Sequence, residues 1–247
     1  MKKILYISLL LITFSCSKVT DCFQSEGDII QETVTNLAAF DRILVNRDVE
    51  LIISEGINQS VIIETGDNLI EGVTAVVVNG ELQLTDNNTC NYSRDYNVTK
   101  VYVTAPNITE IRSSTQFPIR SEGVLNYPNL ILYSEDDGNS EFNNVGDFYL
   151  DIATESFRIV NNNHSNYFIN GTTNSLTIGF FSGGGRFEGA NLIAEEVNVF
   201  HRGYNDIIVN PQATITGAIR STGDVIAKNQ PPTVDVQEYY TGRLIFE

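Results

Sequence analysis

The side chains that could do chemistry in this chain are few, and most are spaced wrongly for catalysis. The two histidines, His164 and His201, are too far apart for a His-x-x-x-His zinc pair, and each falls in a polar turn, where a solvated ring is the ordinary outcome. No Gly-x-Ser-x-Gly elbow occurs, and the run Gly183 to Gly185 lacks the Lys-Ser/Thr ending of a phosphate loop, which disfavours nucleophilic hydrolysis and nucleotide use. Glu135, Asp137, Asn139 and Glu141 surround Gly138 with oxygens that calcium would accept. Their spacing fits a calcium loop only in part, and acids at strand edges are common in acidic proteins, so no metal or other cofactor is assigned. Asp206 and Asp224, with Arg186 and Arg243 nearby, are the one carboxylate and guanidinium set that a polysaccharide-active enzyme would need. A larger constellation, Phe180, Phe181, His201, Arg202, Tyr204, Tyr239 and Tyr240, offers rings with polar neighbours. Such rings suit sugar faces or a protein partner, because they bring apolar area at low entropic cost.

The cysteines divide by position. Lys2 and Lys3 precede an apolar run, Ile4 to Phe14, and Ser15 stands directly before Cys16. The run is too short for a stable span and reads as a signal peptide over 1–15. Leu11 to Cys16 resembles a loose Bacteroidetes lipobox, which implies lipidation of Cys16 and a membrane anchor, the outer membrane with a periplasmic or surface-facing domain being the expected place. The remaining pair, Cys22 and Cys90, is expected to form a disulfide, worth about 4 kcal/mol for a loop of that length. Removing the two signal-peptide lysines takes the net charge from −16 to −18, which argues against nucleic acid as a partner. An aromatic content of 10% argues against disorder.

These side chains must be held by strands. Residues 16–28 read as a lipidated tether and 29–247 as a single all-β domain, with a strand region at 29–107 and a repeat region at 108–247. In the first region the runs Phe40 to Asn46, Val49 to Ser54, Ser60 to Thr65, Val73 to Val78, Glu81 to Thr85 and Lys100 to Thr104 are rich in Val, Ile and Thr. They are punctuated by Glu55-Gly56, Thr65-Gly66-Asp67 and Asn79-Gly80, the last a strong hairpin signal. No apolar period of 3.6 runs for a dozen residues, so no long helix is expected.

The second region repeats. Segments starting at Leu130, Phe157, Leu176, Val197, Ile215 and Val234 recur about every 20 residues, with one insertion in the first step. Their third positions read Leu132, Ile159, Ile178, Val199, Gly217 and Val236, and Asn143, Asn170 and Asn210 share another position. Recurrence at like offsets favours a repetitive, right-handed β-helix or β-solenoid with short coils, in which like residues stack and asparagines ladder. A meander of hairpins would need no such register. A solenoid also leaves an end strand to be capped or paired, which makes a homo-oligomer an expectation.

Phe40 to Thr85, with Gly56-Ile57-Asn58, Asn68-Leu69-Ile70 and the hairpin Asn79-Gly80-Glu81-Leu82, resembles the auto-transporter adhesin "head GIN" domain family. Ala105-Pro106-Asn107, Ile219 to Val225 and Tyr239 to Ile245 extend the likeness over nearly the whole mature chain. Its usual Ser-Gly-Ser-Gly turns survive best at Ser182 to Gly185 and Ser221 to Gly223. The resemblance implies a repetitive β fold of the cell envelope and an adhesin-like, non-enzymatic role on a lipid anchor, binding a glycan or protein. A polysaccharide-active β-helix enzyme and a glycan-binding module are the competing readings.

Overall fold

Where the sequence alternates β-branched with polar residues, the chain forms strands at nearly those limits. A computed structural model describes residues 23–88, 90–92, 94–95, 98–135 and 144–247. It is all-β, with a 3-10 turn at Ile70–Gly72 and no α-helix among the described residues. The strands are β1 (Ile29–Thr33), β2 (Arg42–Val45), β3 (Glu50–Glu55), β4 (Ser60–Gly66), β5 (Val73–Val78), β6 (Glu81–Asp86), β7 (Lys100–Ala105), β8 (Glu110–Ser113) and β9 (Ile119–Leu125). There follow β10 (Asn129–Ser134), β11 (Phe148–Asn161), β12 (Tyr167–Phe180), β13 (Phe187–His201), β14 (Ile207–Ile219), β15 (Val225–Ala227), β16 (Thr233–Glu238) and β17 (Leu244–Phe246). The Asn79-Gly80 hairpin joins antiparallel β5 and β6 with φ of 52° and 78°, the left-handed pair that a tight hairpin turn needs.

The 17 strands of the described residues belong to one sheet that curls into an open half-barrel. The long strands cause the curl, because each serves two rows. The first half of β12 pairs in parallel with Phe187 onward and its second half with Glu196 onward, and within the first half the register shifts between Phe168 and Gly171. Similar shifts interrupt β11 and β13, and bulges of this kind bend a sheet. The two halves close over a single apolar cluster.

Register within the second half is the one that the repeat demands. Leu130 pairs with Phe157, Phe157 with Leu176, Leu176 with Val197, Val197 with Ile215, and Ile215 with Val234. All but Val234 are buried, and each such side chain contributes about 1.5 to 3 kcal/mol by leaving water. A second column runs Phe148, Tyr167, Phe187, Ile207, Val225 and Leu244. Hydroxyl pairs add rungs where polar residues face one another, such as Thr154 with Thr173 at 2.9 Å.

The first half departs from chain order. β2 lies between β6 and β8, and β3 between β7 and β9, all in parallel, so the β2 and β3 layer is inserted between two layers that follow it in sequence. Antiparallel β4, β1 and β5 close that end.

One expectation is corrected, and one segment has partners that the sequence did not show. Asparagines do not ladder: Asn170 donates to the Asp151 carboxylate at 2.9 Å and Asn210 to the Ala190 carbonyl at 3.2 Å, while Asn143 lies outside the described residues. Each amide bonds a carboxylate or a backbone carbonyl of the layer before it, and not another asparagine. The segment read as a tether is also bound at its end, since Gln24 donates to the Asn68 carbonyl at 2.7 Å and the Asp28 N–H to Asp67 at 3.1 Å. Open backbone groups of the 66–68 turn recruit it.

Candidate functional site

The stacked turns at 162–166, 181–186, 202–206, 220–224 and 239–243 form one edge of the sheet, and this is where the predicted binding residues gather. At its rim Arg202 N–H donates to the Phe180 carbonyl at 2.8 Å, Arg220 N–H to that of His201 at 2.7 Å and Tyr239 N–H to that of Ile219 at 2.9 Å. Phe181, Arg202, Arg220 and Tyr239 are therefore neighbours, one per layer, spaced by the inter-strand distance of about 4.8 Å.

Side-chain alternation splits the predicted set in two. Phe180 and His201 are fully buried and in register with each other, whereas Phe181 and Arg202, one residue on, face out. The expectation that all seven share an exposed edge fails for Phe180 and His201, because one residue of offset moves a strand side chain to the opposite face. Phe181 (39% exposed), Tyr204 (58%), Tyr239 (54%) and Tyr240 (62%) are on the surface. The Phe181 ring lies 5.2 Å from that of Phe200. The Arg220 guanidinium stands 4.0 Å from the centre of the Tyr239 ring and 5.8 Å from that of Phe200. Tyr204 reaches back over Gly184, where any Cβ would fall 2.0 Å from the tyrosine oxygen. His164 is exposed, with its ring 6.5 Å from that of Tyr204.

Phe200 and Arg220 were not foreseen. A usable signal existed, because Arg220 follows Ile219 as Arg202 follows His201 in the repeat.

His201 is a core residue with a polar duty. Its Nδ1 accepts the Gly203 N–H at 3.3 Å and its Nε2 has no hydrogen-bond partner among the described residues. Burial holds its pKa below the ordinary histidine value, with Asn205, Asp206 and Asp224 pulling the other way. The folded state thus binds this proton more weakly than the unfolded chain. The histidine's contribution to stability is complete above about pH 6.5 and is lost as pH falls below it. Thermal melts are expected to show wild type losing ground to His201→Leu between pH 7 and pH 5, by up to about 1.4 kcal/mol per pH unit. Parallel pH profiles would rule out the histidine as the cause.

Asp206 and Asp224 are brought together, but as backbone acceptors. Asp206 Oδ1 takes the Asp224 N–H at 3.2 Å, and Asp224 Oδ1 takes the Arg243 N–H at 2.8 Å. Arg186 bonds the other Asp206 oxygen at 3.0 Å, and Arg243 lies 3.5 Å from Glu238. Three layers earlier, before β11, Asp147 takes the Asn166 N–H in the same way at 2.9 Å. Each carboxylate satisfies the N–H that opens the next strand's turn, which is structural work.

Another polar cluster escaped the sequence. Asp86, buried, accepts from Thr99 Oγ1 at 2.6 Å and from Asn88 at 2.7 Å, beside Asp48, Asn91, Arg94 and Phe117 in a small cavity. Burial raises the Asp48 pKa above the usual carboxylate range, a hydrogen bond from Gln116 opposes this, and the Asp86 charge adds to the rise. Of the suggested calcium ligands, Asp137, Asn139 and Glu141 lie outside the described residues, and Glu135 pairs with Arg112 at 3.3 Å. Among the described residues no group of three or more His, Cys, Asp or Glu is placed to hold a metal, and no helix is long and apolar enough to cross a membrane. Cys16 and Cys22 lie outside the described residues.

Parallel strands stacked in register, with an outward row of aromatic and arginine side chains along their turns, define an all-β scaffold that presents an edge to its surroundings. The chain belongs to the family described as "Putative auto-transporter adhesin, head GIN domain", whose profile matches residues 39–231. It is similar to the crystal structure of a "putative adhesin" from Bacteroides fragilis, with a TM-score of 0.79 and 18% identity over 91% of this chain and 100% of that one. A "putative lipid binding protein" from Parabacteroides distasonis and a "putative adhesin" from Parabacteroides merdae each give a TM-score of 0.62 at 14% identity, over 91% of this chain and 99% of theirs. At these identities the likeness is one of fold. No curated protein matches the chain.

Proposed function

We propose that this protein is a non-enzymatic, lipid-anchored component of the cell envelope that binds a macromolecular partner, glycan or protein, along its turn edge. The observation that carries this reading is the exposed row itself: Phe181, Tyr204, Tyr239 and Tyr240 stand in solvent on a backbone whose strands hold them in fixed register. Apolar rings kept in water on a rigid frame are costly unless a partner covers them. Family membership supports an adhesin-like role and a place at the cell envelope. The hydrogen bonds that occupy Asp206 and Asp224 argue against their use as acid and base.

The same reading has the strands wind as a right-handed β-solenoid. Support comes from the parallel pairing of successive repeats 17 to 21 residues apart and from the near-universal right hand of parallel crossovers. It also places a signal peptide at 1–15, a lipid on Cys16 in the outer membrane, and a disulfide between Cys22 and Cys90. Cys90 is disulfide-bonded, and the rings of Phe23 and Tyr92, beside the two predicted partners, stack at 5.8 Å.

Intact-mass spectrometry of the protein from envelopes of a Bacteroidetes host tests the processing. The expected species begins at Cys16, carries acyl chains, and gains the mass of two hydrogens on reduction. A glycan array probed with the Cys16→Ser chain, followed by mass spectrometry of bound glycans, tests the function. Binding without products is the expected result, and released products would replace the binding reading with an enzymatic one.

A further inference from the structure

We propose that the edge formed by Phe181, Phe200, Arg202, Tyr204, Arg220 and Tyr239 is a site for an acidic glycan, with sugar faces on the rings and carboxylate or sulfate groups on the two guanidiniums. The inference rests on the binding reading above and names the class of its ligand.

Among the described residues three arginines lie over aromatic rings, and they differ in one respect. Arg112 lies 4.3 Å from the centre of the Tyr133 ring and pairs with Glu110 and Glu135 at 3.6 and 3.3 Å. Arg120 lies 4.3 Å from the Tyr149 ring and pairs with Glu50 at 3.1 Å. Arg220 has its two rings but no carboxylate within ion-pairing distance among the described residues, and neither has Arg202 beside it. In a chain with 31 acidic and 15 basic residues, these two arginines are exposed and adjacent, one layer apart, and their charge complements an anion supplied from outside. A guanidinium held flat against a ring keeps its N–H edge free for a bidentate grip on a carboxylate or sulfate.

Geometry favours a glycan over a peptide. Beneath Phe181, Arg202 and Arg220 the strands are paired on both sides, β12 between β11 and β13, β13 between β12 and β14, and β14 between β13 and β16, so an extended peptide finds no open edge to join there; among the described residues the open edge is that of β16, one layer on at Tyr239. What remains is a row of side chains one layer apart, about 4.8 Å, close to the length of one pyranose, so successive sugars of a chain laid along the stack meet successive layers. An anionic membrane is disfavoured by the net charge of −16.

The test is calorimetric titration of the Cys16→Ser chain with a panel of oligouronates and sulfated oligosaccharides, beside neutral oligosaccharides of matched length and poly-glutamate. The expected result is binding to an acidic glycan that weakens as salt is raised, falls about tenfold or more in Arg220→Ala, Arg202→Ala and Tyr239→Ala, about 1.4 kcal/mol per tenfold, and is unchanged in Arg120→Ala. All these side chains are exposed, and matching melts will show that the variants are folded. Neutral glycans bound as well as acidic ones, with Arg220→Ala silent, would overturn the acidic-ligand inference and leave the binding reading standing. Poly-glutamate bound without any glycan, or no acidic probe bound at all, would overturn it too. Turnover of a bound glycan would instead overturn the reading on which it rests.

Discussion

Gly217→Ala is expected to lower stability by about 3 kcal/mol. Gly217 occupies the inward third position of its repeat, where other layers carry Leu132, Ile159, Ile178 and Val199. Its φ is +130°, and a Cβ there would stand 1.9 Å from the Val199 carbonyl oxygen and 2.8 Å from its carbon. Backbone strain of this kind costs about 1 to 3 kcal/mol, and forcing a methyl against fixed backbone adds a penalty of about 1 to 3 kcal/mol. For a chain of this size the melting temperature should fall by roughly 10 °C. Gly123 supplies the control, since its φ is +84° with nothing within 4 Å of a built Cβ. Gly123→Ala meets strain alone and should cost about 1 kcal/mol. Equal shifts in the two variants would show that the contact with Val199 carries no weight.

Tyr167→Ala should cost about 4 kcal/mol in chemical denaturation, the order seen for large aromatic residues lost from a core. The ring is fully buried, stacks on Phe148 at 4.9 Å with planes 8° apart, and meets Phe180 at 5.8 Å. Losing it breaks a column three rings deep, because Phe148, Tyr167 and Phe187 are paired in register. Tyr167→Phe separates packing from polarity. It removes only the hydroxyl that donates to Asn161 Oδ1 at 3.2 Å, and should cost about 1 kcal/mol. Burial has driven the hydroxyl's pKa far up, so it stays a donor at any working pH. If the phenylalanine variant lost as much as alanine, the hydrogen bond to Asn161 and not the stack would be holding this layer.

Much of this was legible beforehand, for a physical reason. Strand formation depends on side-chain alternation and turn chemistry, both local, so the limits read for β3, β5 and β6 agree with the structure to within a residue. In-register stacking makes each residue the neighbour of its own repeat, so aligning the sequence with itself at Leu130, Phe157, Leu176, Val197, Ile215 and Val234 was already a statement of contacts. The family likeness seen in the turn signatures was of the same local origin.

Where interactions were not local, the sequence was silent. Nothing in the residues from Arg42 to Glu55 says that their layer inserts between two later ones, because that order follows from how the whole sheet closes. The parity of the turn edge was likewise undetermined. Whether Phe180 or Phe181 faces water depends on the residue at which the long strand bends, and only the bulges decide that. By itself the sequence determined an all-β chain with a repeat of about 20 residues and a cluster of rings at its turns. Tertiary structure alone put His201 in the core, committed Asp206 and Asp224 to backbone N–H groups, and set Arg220 between Phe200 and Tyr239 with no acid of the described residues at ion-pairing distance. Such pairings join residues from different layers, and which layer meets which is a property of the closed sheet.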